Sequence, residues 1–192
     1  MLPIPRKALL APAAASLLVA VGPAQGQGQN TSSNSMAVRD VINRSVTLSP
    51  GAEVSLSTIA GPVTIQTGGG STAQIQIIRG AATRRELDCY RTEVDATPGR
   101  LSIRHVQDRT PDCDSIRSAQ QVRLTLPRSV NLSMSSIAGG VDIAPIDGRL
   151  KLDSMAGPVK IRGVRSADIS SLAGGLSMIL LPLDRRGVRI SS

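Results

Sequence analysis

VSLSTIAGPVTI, residues 54–65, is the stretch that decides the fold, because the chain repeats it three times. The later copies are LSMSSIAGGVDI at 132–143, LKLDSMAGPVKI at 150–161 and ADISSLAGGLSM at 167–178, and a fifth opens at Val188 with VRISS. Each copy is an apolar-x-apolar triplet, a polar pair with Ile/Met/Leu-Ala-Gly-Gly/Pro, and a second apolar-x-apolar triplet. Such alternation marks a short strand with one buried face. The Gly-Gly or Gly-Pro between triplets imposes a bend, since glycine accepts positive φ and proline donates no hydrogen bond. The phrase therefore predicts strand, tight corner, strand, with Gly61, Gly139, Gly140, Gly157, Gly174 and Gly175 as corner glycines.

From residue 132 the triplets begin at Leu132, Val141, Leu150, Val159, Ala167 and Leu176, a nearly constant step of nine. Two steps make a coil of about eighteen residues, and a fixed short step is what stacked layers need, each burying its neighbour's face. The expected fold is all-β: a right-handed β-solenoid or roll-like stack of short strands with Gly-Gly and Gly-Pro corners. A β-sandwich of short strands is the alternative. Tyr90 is the only aromatic residue, so the core is Ile, Val, Leu, Met and Ala, which suits narrow layers.

Ahead of the repeats, 41–48 reads as a first strand ended by Ser49-Pro50-Gly51, and 73–77 (AQIQI) alternates cleanly. Residues 81–90 lose the alternation and read as a short helix or a loop. Segments 92–96 and 101–106 form an expected hairpin turning at Pro98-Gly99, and 121–126 is a strand closed by Pro127.

The N-terminus carries Arg6 and Lys7, an apolar run over 8–21 and a small-x-small Ala24-Gln25-Gly26, the layout of a signal peptide at 1–26. The apolar run is short and broken by Pro12, so no transmembrane span is expected after cleavage. Polar residues 27–38 follow as a flexible lead-in, and 39–192 make a single β-repeat domain. Because the fifth copy stops between strand and corner, the repeat reading expects a truncated C-terminus. Cys89 and Cys113, 24 residues apart in an exported chain, are expected to pair, closing a loop worth about 3 kcal/mol.

Residues 54–65, the strand-Pro segment 122–127 and the Gly-centred repeats at 136–143, 154–161 and 171–178 together resemble a family of bacterial exported proteins, the β-strand-repeat putative-adhesin domain of unknown function. The resemblance covers roughly residues 40–192. It implies an exported β-solenoid-like domain of adhesin type and supplies no catalytic residues.

The chain has no G-x-S-x-G elbow, no phosphate-binding glycine loop and no H-E-x-x-H. His105 shares a face with Leu101 and Ile103 and reads as a locally satisfied strand-end residue, with a general base as the competing role. Asp142 and Asp168 stand at the middle of their triplets and Asp153 just after one, but Lys151 and Lys160 take equivalent positions, the mixture of a solvated face. Gly139-Gly140-Val141-Asp142 begins like a calcium-binding roll repeat and lacks its third glycine, so no metal and no cofactor are expected. The net charge is +8, or +6 once Arg6 and Lys7 are removed, and most of the basic residues are arginines scattered singly. Export and the lack of stacking aromatics argue against nucleic acid.

The resulting expectation is a non-enzymatic exported protein of the cell envelope or surface (periplasmic, surface-bound or extracellular), an adhesin or structural module. Its possible binding positions are Thr64, Asp142, Lys160 and Ser177. Acidic envelope polymers or another envelope protein are the partners it suggests. Two alternatives remain: a polysaccharide-active enzyme using Asp142 or Asp168 in a solenoid groove, and an envelope scaffolding or stress-response partner domain.

Overall fold

The computed structural model describes residues 37–110, 113 and 118–191. The expected signal peptide and nearly all of the expected lead-in lie outside the described residues. Strands β1 (Val38–Thr47), β2 (Glu53–Ala60), β3 (Val63–Gly68) and β4 (Thr72–Ala81) precede a short helix, α1 (Arg84–Asp88). The hairpin β5 (Tyr90–Thr97) and β6 (Arg100–Gln107) follows, and then β7 (Ala119–Pro127). The repeats supply β8 (Asn131–Ala138), β9 (Val141–Ile143), β10 (Arg149–Ala156), β11 (Val159–Val164), β12 (Ser166–Ala173), β13 (Leu176–Leu180) and β14 (Val188–Ser191). The first strand thus starts at Val38, inside the expected lead-in and three residues ahead of the expected Val41.

The strands form two mixed sheets of seven among the described residues. Sheet A runs β1-β4-β7-β3-β9-β11-β13 and sheet B runs β14-β12-β10-β8-β2-β6-β5. The alternating apolar residues of both sheets point into one shared aliphatic core, so the chain is all-β and sandwich-like, the alternative of the sequence reading. Leu132, Leu150, Leu152 and Ile103 are at most 1% exposed. Burying each such side chain is worth about 1.5–3 kcal/mol.

Within the sandwich the repeats pair in parallel and in register. Val54 pairs with Leu132, Leu132 with Leu150, Leu150 with Ala167 and Ala167 with Val188. On the other sheet Val63, Val141, Val159 and Leu176 align in the same way. The first copy therefore sits directly against the second, although residues 66–131 separate them in the chain. Those intervening residues pack on its other side as β7 and β6.

The corners belong to the ladder. Val63, Val141 and Val159 donate their backbone N–H to Gly140, Pro158 and Gly175 carbonyls at 2.8–2.9 Å. At Gly139 and Gly157 φ is +153° and +135°, and a Cβ there would lie 2.3 Å and 2.6 Å from the carbonyl oxygen of the preceding corner glycine. Gly61, also at positive φ, would meet the Gln120 carbonyl in the same way, and Gly174 repeats the arrangement against Gly157. Gly140 and Gly175 do not. Neither has positive φ, and an added Cβ meets nothing closer than 3.7 Å at Gly140 and nothing within 4 Å at Gly175. Pro62 and Pro158 occupy the equivalent place in the other copies, so these two corner positions have room for a side chain.

The polar pair in each copy has its own cause. Thr58, Ser136, Ser154 and Ser171 lie in the left-handed region, with φ of 52–57°. Each puts two successive side chains outward and returns the next apolar residue, Ile59, Ile137, Met155 or Leu172, towards the core. Because the same kink recurs in all four copies, the strands keep their register across it.

Helix α1 begins in a capping box. Thr83 Oγ1 accepts from Glu86 N at 3.2 Å, and Glu86 Oε2 accepts from Thr83 N at 3.1 Å. Cys89, which caps the other end, is disulfide-bonded to Cys113 with Cα atoms 5.6 Å apart.

Candidate functional site

Sheet A presents an outer face built from the residues that alternate with its core positions. One row crosses all seven strands in register: Asn43, Gln76, Arg123, Thr64, Asp142, Lys160 and Ser177. The four positions expected from sequence, Thr64, Asp142, Lys160 and Ser177, are thus brought side by side on β3, β9, β11 and β13. They share a face because they share a place in the repeat. Asn43, Gln76 and Arg123 extend the row onto β1, β4 and β7, whose pairing no repeat reveals.

A second row, Ser45, Gln74, Thr125 and Gln66, runs beside the first. Where the two rows cross β1, β4, β7 and β3 they line an open depression of about 820 Å³. Gln76 Nε2 donates to Asn43 Oδ1 at 3.3 Å, which orients both amides across the β1–β4 pair. Arg123 is exposed and, among the described residues, has no ion pair. Amides and hydroxyls that both donate and accept, set on a rigid sheet with the guanidiniums of Arg44 and Arg123 in the lining, are groups that hydrogen-bond hydroxylated or amide-bearing chains.

Beyond the depression Asp142 is neutralised, while Lys160 is exposed and makes no ion pair among the described residues. Arg162 grips Asp142 with two hydrogen bonds of 2.9 Å and 2.6 Å. This guanidinium holds the Asp142 carboxyl below its usual range. Asp142 is on sheet A and Asp168 on sheet B, so the structure does not bring the two candidate carboxylates together. Asp153, also on sheet B, accepts from Ser170 Oγ at 2.9 Å.

His105 shares the buried face of β6 with Leu101 and Ile103, as expected, but it is not locally satisfied. It is 7% exposed, its ring stacks on Tyr90 at 5.0 Å between centroids, and neither ring nitrogen has a hydrogen-bond partner among the described residues. Burial, with a smaller contribution from the positive charge of Arg79, pushes its pKa down to about 4. Arg79 itself ties three strands together, pairing with Asp40 of β1 and donating to the Tyr90 carbonyl at 2.6 Å. No described helix is long and apolar enough to cross a membrane.

No protein-family model matches the chain, and no curated protein matches it. It is similar to several solved structures. One is a putative cell adhesion protein from Clostridium sporogenes, 7% identical, with a TM-score of 0.34 over 79% of this chain and 99% of that one. A putative adhesin from Bacteroides fragilis is 10% identical, with a TM-score of 0.32 over 80% and 97%. A putative lipid binding protein from Parabacteroides distasonis is 12% identical, with a TM-score of 0.31 over 73% and 67%.

Proposed function

We propose that the protein is a non-enzymatic, exported module of the cell envelope or surface that binds with the outer face of sheet A. The observation that carries this reading is the unbroken row from Asn43 to Ser177, with its amide- and hydroxyl-lined depression on a rigid seven-stranded support. Export is supported by the signal-like residues 1–26 and by the Cys89–Cys113 disulfide, a bond that persists in oxidising compartments. In this reading the parallel part of the sandwich acts as a stiff roll of coils; the eighteen-residue register between β8 and β10 supports that description. An extended envelope polysaccharide is the proposed ligand class, because alternating donors and acceptors along the face match a chain of hydroxyls.

The test is titration of purified protein against immobilised envelope polysaccharides and whole cells, at low salt and near roughly half-molar salt, where charge-driven contacts are screened to a few ångströms. Saturable binding that survives the salt is expected. Binding to every anionic surface that vanishes in salt would show only that the protein is basic, and the reading would fail.

A further inference from the structure

The arginines are not equivalent. Arg79, Arg104, Arg128, Arg162 and Arg165 are each committed to a carboxylate on their own sheet or corner. At the β12–β14 end of sheet B the pattern breaks. Arg149, Arg185, Arg186 and Arg189 line one depression of about 310 Å³ with Ser166 and Asp168, and among the described residues none of the four makes an ion pair. In the lining four guanidiniums face one carboxylate, and with Asp184 beside them a local excess of two positive charges remains.

Their backbone supports are fixed. Asp184 Oδ1 accepts from Arg186 N at 2.8 Å and from Gly187 N at 3.3 Å, and Asp184 N donates to the Arg165 carbonyl at 3.1 Å. The loop that carries the only arginine doublet of the C-terminal half is therefore tied to the preceding corner. Arg189 is held opposite Asp168, and Arg149 opposite Ser166, by strand register. Holding like charges together is unfavourable unless an anion joins them.

We infer that this pocket is a binding site for a phosphate group, in the first place a phosphate monoester on a saccharide. A carboxylate offers two oxygens and occupies one guanidinium fork, whereas a phosphate offers three terminal oxygens and can be shared by several forks at once. The pocket lies on the opposite sheet from the polar row, so it stands if the reading of that row fails.

The experiment is calorimetric titration of the full chain at low salt with inorganic phosphate, glucose 6-phosphate and glucuronate, and co-sedimentation with phosphatidylcholine vesicles with and without phosphatidic acid. Saturable binding of glucose 6-phosphate is expected, at least about tenfold tighter than that of glucuronate and weakened at least about tenfold in R186Q/R189Q, which corresponds to the loss of about 1.4 kcal/mol or more. Arg149→Lys keeps the charge and removes the fork; it is expected to weaken binding while leaving the melting temperature unchanged. Tightest binding of inorganic phosphate identifies the free ion as the source, and binding to phosphatidic acid vesicles that is lost in R186Q/R189Q identifies a lipid headgroup; both keep the phosphate site. Equal affinity for glucuronate, no binding of any phosphate probe, or wild-type affinity in R186Q/R189Q would overturn it. Q74A/Q76A on sheet A is expected to leave phosphate binding unchanged, which separates this site from the polar face.

Discussion

Replacing Gly157 by alanine probes the stacked corners with a single methyl group. The new Cβ would stand 2.6 Å from the Gly139 carbonyl oxygen and 2.8 Å from its carbon. Reaching ordinary contact requires the two corners to separate by about 0.8 Å. That movement stretches the bond from Gly139 N to the Ala156 carbonyl, now 2.8 Å, and pushes Gly157 against the next layer, where its N–H already donates to the Ala173 carbonyl at 2.8 Å. Two contributions add: about 1–3 kcal/mol for holding an L-residue at φ +135° and about 1–3 kcal/mol for overpacking a tight interior. A net loss near 3 kcal/mol corresponds to a melting temperature lower by roughly 6–12 °C for a domain of this size. The control is Gly175→Ala, at a corner position where a Cβ meets nothing within 4 Å and φ is not positive. It is expected to gain about 0.4–1 kcal/mol through the less flexible unfolded chain. Circular dichroism melts of the two variants beside the wild type decide the matter. A Gly157→Ala protein melting within about 1 °C of wild type, or a Gly175→Ala protein falling as far as Gly157→Ala, would refute the stacked-corner reasoning.

Three further predictions concern other parts of the fold. Thr58 is a β-branched residue at φ 57°, so Thr58→Gly is expected to stabilise by about 1 kcal/mol and to raise the melting temperature by roughly 2–4 °C, whereas Thr58→Val should not. His105 has its folded pKa depressed from 6.5 to about 4, so the unfolded state binds more protons between those values. Its contribution is complete above about pH 6.5 and is lost as pH falls towards 4, roughly 3 kcal/mol over the window; urea unfolding at pH 7 and pH 4.5 should show this fall, and His105→Leu should flatten it. Removing the disulfide in C89A/C113A is expected to cost about 2–4 kcal/mol, read as a lower denaturation midpoint that no longer responds to added reductant.

The repeat made strand, corner and register legible from residue 132 onward, because equal steps of alternating aliphatics allow few other arrangements. Nothing local in residues 54–65 says that this copy docks against residues 132–143 rather than against the strands that follow it; that choice is made by the shared core. The odd spacing inside each copy, Leu56 to Ile59 where alternation wants a step of two, was the available signal for the left-handed residue at 58. Proline at 62 and 158 already implied that positions 140 and 175 accept a Cβ. The Thr83-Arg-Arg-Glu86 capping box was equally readable and places a short helix, Arg84–Asp88, within the stretch 81–90. In the binding face, four positions could be read as one because they recur in the motif. Asn43, Gln76 and Arg123 could not, since antiparallel pairing of β1, β4 and β7 leaves no periodic trace in the sequence. For His105 the buried face was visible in the alternation with Leu101 and Ile103, whereas its lack of a polar partner among the described residues depends on what other segments place around it.

The most direct test of the binding face is the affinity of paired variants for envelope polysaccharide at roughly half-molar salt, where screening silences the scattered arginines. Q76A/R123A, in the row across sheet A, is expected to abolish the saturable binding shown by the wild type, while S133A/K151A, at matching outward positions on sheet B, is expected to retain it. Retained binding in Q76A/R123A, or equal losses in both pairs, would contradict the assignment of sheet A as the surface the protein uses.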